Sequence, residues 1–171
     1  MSQLKMHRSV RTLVVLLSAV VAACTVPPAP PEPVAPAVVA PEPTHPACVP
    51  ATANNPVTGN WLSKHKQKGV AGEIRVLFTL QADGTMAYTE QVKRPNKPSQ
   101  GLNESGCWQA SGDQVLLSTQ ESNGVVTEPG DPIYQHSYRI LKLAGDKLEL
   151  RTEEGLVYKL TRMSPGYRLP F

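Results

Sequence analysis

Cysteine is scarce in this 171-residue chain, which has three, Cys24, Cys48 and Cys107, and no C-x-x-C. The four histidines, His7, His45, His65 and His136, do not cluster either, so spacing offers no metal site and no cofactor is expected. No apolar run reaches the ~20 residues of a membrane-spanning helix; "TLVVLLSAV" at 12–20 falls short. G-x-S-x-G, H-E-x-x-H and a Gly-rich phosphate loop are all missing, and Glu153-Glu154 fall in a turn, where solvation is their ordinary role. These absences argue against an enzyme and leave no catalytic residues to assign. Aromatics make up only 5% of the chain, which permits either a packed core or a small cavity.

The N-terminus holds a different signal. Lys5, Arg8 and Arg11 precede the apolar run, and Ala22-Ala23 supply the small residues of a cleavage site, so residues 1–23 read as a secretory signal peptide. The next residue is Cys24, and "VAAC" resembles the bacterial lipoprotein signal, the lipobox. That resemblance implies cleavage before Cys24, acylation of its thiol and new α-amine (palmitate among the acyl groups), and a membrane anchor at the mature N-terminus. Thr25 stands where an Asp would imply retention at the inner membrane. The resemblance therefore implies the outer membrane, facing the periplasm. Removing Lys5, Arg8 and Arg11 also cancels the formal charge of +3, so the basic balance gives no reason to expect nucleic-acid binding.

An acylated Cys24 leaves Cys48 and Cys107 in an oxidising compartment, as a disulfide or as two free thiols. Proline, abundant at 17 residues, crowds into "TVPPAPPEPVAPAVVAPEPTHPA" at 25–47. There it removes backbone donors and fixes φ, predicting a polyproline-like spacer rather than a folded segment. Residues 24–47 are thus the lipidated cysteine and linker, and 48–171 one folded domain.

Within that domain, alternation dominates. "EIRVLFTL" (73–80) puts Ile74, Val76, Phe78 and Leu80 on one face, and Asp83-Gly84 turns the chain into "TMAYTEQV" (85–92). "GCWQA" and "QVLLST" flank "SGD", "YRILKL" and "KLELRT" flank "AGD", and "EEG" leads into "LVYKLTR". With "GNWLS" in front, about eight short strands and no amphipathic helix predict an all-β fold. A small antiparallel up-and-down barrel is the first expectation, with an open sandwich as the competing solution. In a meander the turns at 83–84, 111–113 and 144–146 share one end. The segments 65–72, 93–105 and 120–133 share the other, pointing away from the N-terminal anchor. That second end carries a candidate basic rim of Lys66, Lys68, Lys93, Arg94 and Lys97, beside Lys64, countered by Glu121, Glu128 and Asp131.

"GNWLS" resembles the G-x-W signature of lipocalins and related calycin barrels. The resemblance implies that Trp61 closes the barrel floor, with an Arg near the end of the last strand packed on it. Period-two parity in "LVYKLTR" aligns Leu156, Tyr158, Leu160 and Arg162, making Trp61 and Arg162 the candidate pair. Residues 70–162 are also similar, in the order and spacing of their motifs, to the N-terminal barrel of the NlpE family of outer-membrane lipoproteins, although that family's C-x-x-C is absent. The implied function is a tethered, non-enzymatic binding module for a lipid or other amphiphilic or anionic envelope ligand, such as lipopolysaccharide or peptidoglycan. The alternatives are a periplasmic protein partner, for an envelope-stress sensor or hydrolase inhibitor, and a structural envelope lipoprotein.

Overall fold

The structure is a computed structural model and describes residues 44–170; the signal peptide, Cys24 and most of the proline tract lie outside the described residues. Nine strands follow in order: β1 (Gly59–His65), β2 (Glu73–Leu80), β3 (Thr85–Lys93), β4 (Gln100–Ser111), β5 (Gln114–Ser122), β6 (Val125–Val126), β7 (Gln135–Ala144), β8 (Lys147–Thr152) and β9 (Val157–Met163). They hydrogen-bond in the order β4-β3-β2-β1-β9-β8-β7-β5, and β4 pairs with β5, closing an antiparallel barrel of eight strands. β6 is a two-residue ribbon added to the upper end of β5. The barrel solution therefore holds over the open sandwich, with no free edge around the main wall.

Alternation explains the core. Inward residues Trp61, Val76, Phe78, Leu80, Met86, Trp108, Val115, Leu117, Leu148, Leu150 and Leu160 are all buried and form one cluster. Both indole N–H groups find backbone carbonyls: Trp61 Nε1 donates to Val57 O at 2.7 Å and Trp108 Nε1 to Gln81 O at 2.7 Å. Rings that bury their bulk and satisfy their one donor fix side-chain geometry more tightly than aliphatic packing does.

Turn chemistry sets the ends. The Asp83 carboxylate accepts from the backbone N and Oγ1 of Thr85, and Gly84 takes φ +86° beneath the Val49 carbonyl, where no side chain fits. The connections 81–84, 112–113 and 145–146 form the tight end. The connections 66–72, 94–99, 123–134 and 153–156 form the other.

Four expectations need correction. The span 93–105 is mostly not a loop, because β4 begins at Gln100 and pairs with β3 as far as Val92. Likewise β5 runs on to Ser122 before Asn123 (φ 50°) and Gly124 (φ 82°) turn it into β6. Leu156 lies in the turn before β9, 40% exposed, and does not share the inward face of Tyr158 and Leu160. Finally, the chain enters β1 at the tight end, but the segment that leads there starts near the long-loop end, so the long loops do not point away from the N-terminal side. His45 Nε2 lies 2.7 Å from Thr127 O, Gln120 Nε2 donates to Pro46 O at 2.8 Å, and Ala51 N reaches Ala82 O at 3.0 Å. The segment thus starts on the upper flank of β5 and descends the outer wall to β1. Halfway down, Cys48 and Cys107 form a disulfide.

The other terminus also lies on the outside. Leu169 packs against Leu62 and Leu77, which point outward from β1 and β2, and forms a second small apolar cluster. Asn60 Nδ2 donates to Ser164 O at 2.9 Å and Gln91 Nε2 to Pro170 O at 3.0 Å. Gln91 is fully buried under this segment, and its Oε1 has no hydrogen-bond partner among the described residues.

Candidate binding mouth

At the tight end the barrel is shut. Trp61 and Arg162 are register partners on β1 and β9, and the Arg162 Cζ stands 4.0 Å from the Trp61 ring centroid. The guanidinium donates through Nη1 to Thr58 O at 2.7 Å and through Nη2 to Pro56 O at 2.8 Å. Its planar fork ties the entry segment to the last strand while its face covers the indole.

At the long-loop end the interior turns polar. Phe78 sits among three tyrosines, with ring centroids 5.2 Å from Tyr88, 5.5 Å from Tyr138 and 5.8 Å from Tyr158, all edge-on. His65 stacks edge-on to Tyr158 at 5.7 Å. The register places two carboxylates in the same layer: Glu90 is opposite inward Val76, and Glu104 is opposite inward Tyr88. Tyr88 donates to Glu90 Oε2 at 2.7 Å, while Thr119 and Ser122 donate to Glu104 at 3.4 and 3.5 Å. Burial pushes the Tyr88 and Tyr138 hydroxyls far above the ordinary tyrosine pKa, helped by Tyr158 and by Glu90 and Glu104 respectively. Tyr158 is also raised, again mainly by burial, against a hydrogen bond from Tyr88 that lowers it.

The candidate rim residues are split between two connections. Lys66 and Lys68 stand exposed between β1 and β2, and Lys97 between β3 and β4; exposed Lys93 ends β3, opposite Glu73, and the stem of half-buried Arg94 passes over Gly72. Glu73 is held below the usual carboxylate range, first by its hydrogen bond from Arg75 and then by the charges of Arg75, Lys64 and Lys66. Across the mouth the rim is acidic: Glu121 lies near the end of β5, Glu128 and Asp131 follow it, and Glu153-Glu154 join β8 to β9. No group of His, Cys, Asp or Glu among the described residues could hold a metal ion.

Among the described residues, clefts lie off the barrel axis. One of about 620 Å³ runs between the outer face of β2–β3 and the C-terminal segment, bordered by Leu77, Ala87, Arg162, Met163, Arg168 and Leu169. Another of about 440 Å³ lies beside Arg139 and Arg151 on β7–β8. A notch of about 80 Å³ opens where β7 outruns β8, lined by His136, Tyr138, Thr152 and Glu154 among others.

No protein-family model and no curated protein matches the chain. Among solved structures it is similar to an uncharacterized protein from Bacteroides eggerthii, at 12% identity and a TM-score of 0.38, over 62% of this chain and 98% of that one.

The sequence reading missed the tyrosine–carboxylate layer. A signal for it existed: in "TMAYTEQV" Glu90 shares parity with Met86, Tyr88 and Val92, which places a carboxylate on a core face. Glu104 carries no such signal, because the polar run "QGLNES" around it reads as a loop.

Proposed function

We propose that this protein is a non-enzymatic binding module of the cell envelope that engages a protein partner through its long-loop end. The observation that carries the reading is a contrast between interior and rim. The axis is filled from Trp61 to the tyrosine layer, whereas the β5–β7 excursion holds large apolar side chains in water: Val125 is 68% exposed and Ile133 69%. That excursion is hydrogen-bonded in place by Asn123 N to Asn103 O, Thr127 Oγ1 to Thr119 O, and the Asp131 carboxylate accepting from Ile133 N. Exposed apolar residues on a fixed projection suit an interface.

An N-terminal lipid on Cys24 and an outer-membrane, periplasm-facing location complete the proposal. Their support is the charged start, apolar core, small residues and cysteine in register, together with the motif spacing shared with NlpE-type lipoproteins. Mass spectrometry of the membrane-extracted protein tests the anchor: the N-terminal peptide should begin at Cys24 and carry acyl mass, and an unmodified thiol there would remove it.

A second reading, an anionic amphiphile such as a lipid, is favoured by the outer cleft, where apolar Leu77 and Leu169 meet Arg162 and Arg168. Photo-crosslinkers placed in the full chain at Ile133, Ala87 and Lys142 separate the two. Protein adducts from Ile133 alone support the partner reading. Lipid adducts from Ala87 with none from Ile133 replace it with the second, and equal labelling at Lys142 overturns both.

A further inference from the structure

We propose that the outer wall of β7 and β8 carries a binding site for a phosphate monoester of a sugar or other polyol, with Arg139 and Arg151 as its anion clamp. The two arginines are register partners on adjacent strands. Their chain neighbours Tyr138 and Leu150 are buried inside the barrel, so both guanidinium groups stand on the outer face. Like charges directly opposite each other on a sheet repel, and a dianion placed between them turns that repulsion into attraction. The Arg151 side chain has no hydrogen bond or ion pair among the described residues. Arg139 is paired with Asp113, its Nε 3.4 Å from the carboxylate, but both side chains are more than half exposed. Such a pair contributes little and is readily exchanged for a better one.

The clamp opens into the cleft of about 440 Å³, which Gln114, Ser137, Arg139, Arg151, Thr152 and Glu153 line. Half-buried Ser137 precedes Arg139 by two residues and so shares its face. Its hydroxyl and the Gln114 amide make no side-chain hydrogen bond among the described residues, which leaves both to meet a ligand's oxygens. The borders are fixed by the backbone. Thr152 N donates to Leu156 O at 2.9 Å, Leu156 N to Thr152 Oγ1 at 3.2 Å, and Ile140 N to Asp113 O at 2.6 Å. A cleft of this size exceeds a bare phosphate ion, and its polar lining suits a hydroxyl-bearing body rather than an acyl chain.

Two acids oppose an anion here, Asp113 on the β4–β5 turn and Glu153 on the β8–β9 turn, and both are exposed. In the next row of the same face, Glu149 stands between its register partners Lys142 and Lys159. The balance decides which anion fits. A carboxylate presents two oxygens, which a single guanidinium fork occupies. A terminal phosphate presents three oxygens and about two charges, so it engages both forks and outweighs the exposed acids.

The test titrates the purified full chain with glucose 1-phosphate and glycerol 1-phosphate at about pH 8, where the monoester is a dianion. Backbone amides of Ser137, Arg139 and Arg151 are followed by NMR, with inorganic phosphate, acetate and glucose as comparisons. Saturable shifts with at least one monoester are expected, at least tenfold tighter than with inorganic phosphate or acetate, and none with glucose. The tighter of the two monoesters assigns the body to a sugar or to an open-chain polyol. Arg151→Gln should weaken binding at least tenfold and Arg151→Lys, which keeps the charge and loses the fork, about fivefold. Asp113→Asn should tighten it about threefold by releasing Arg139, and Lys142→Gln, one row away, should leave it unchanged. Ser137→Ala, weaker by about threefold, carries the test if Arg151→Gln does not fold. Absence of saturable shifts, affinity no better than that of inorganic phosphate, or equal losses in Lys142→Gln and Arg151→Gln would overturn the proposal. None of these outcomes bears on crosslinking at Ile133, so this proposal and the partner reading can fail separately.

Discussion

Arg162 lies face-on to Trp61 while its two terminal nitrogens hold the carbonyls of Thr58 and Pro56. One side chain thus covers the floor and fastens the chain just before β1. Replacing it by Ala removes a cation–π contact of ~0.5–2 kcal/mol and two charge-assisted hydrogen bonds, discounted because the side chain is 32% exposed. Arg162→Ala should cost about 2–3 kcal/mol and lower the Tm by about 8–12 °C, with Arg162→Lys in between. An unchanged Tm in calorimetry would refute the structural role.

The Cys48–Cys107 bond spans 59 residues, a loop for which the chain-entropy model gives about 4 kcal/mol. Reduction should therefore lower stability by up to that amount and release the entry segment first. Hydrogen exchange at Ala51, whose N–H is bonded to Ala82 O, should accelerate before exchange at the core strands.

Three tyrosines give an alkaline signature. The hydroxyls of Tyr88, Tyr138 and Tyr158 are all held above the ordinary value of 10.0. The stabilisation from keeping them protonated is complete below pH ~10, and it falls as pH rises through that value toward the folded-state pKa values. Absorbance at phenolate wavelengths should show these three rings ionising together with loss of the fold. Smooth titration of all three while near-ultraviolet circular dichroism stays native would contradict the packing.

Leu169 is buried at 4% exposure against Leu62 and Leu77. Leu169→Ala should cost about 2–3 kcal/mol, because the surrounding sheet face cannot collapse into the space. The urea midpoint should fall, and amide exchange around Gln91 should rise more than around Trp108. A shift below 0.5 kcal/mol would mean that the tail is dispensable.

Much of the barrel was legible because period-two alternation and Gly-containing turns are local signals. Val76, Phe78 and Leu80 needed only their own neighbours to be placed inside, and parity alone aligned Arg162 with Leu160. What was not legible depends on distant partners. The start of β4 at Gln100 is dictated by pairing with Val92 rather than by "QGLNES", whose polar residues carry little strand preference. The outer-wall positions of His45 and Leu169 depend on Thr127 and Leu77, each far away in sequence. The mouth was missed for a related reason: Glu104 faces inward only once β4 is known to be a strand.

Strand lengths make the wall uneven, with twelve residues in β4 and nine in β5, against six in β8. The cup therefore has a high lip above β4–β5 and a low one above β8. A large body descending on it would strike the raised side first, and a slim group would gain entry sideways over the lowered one.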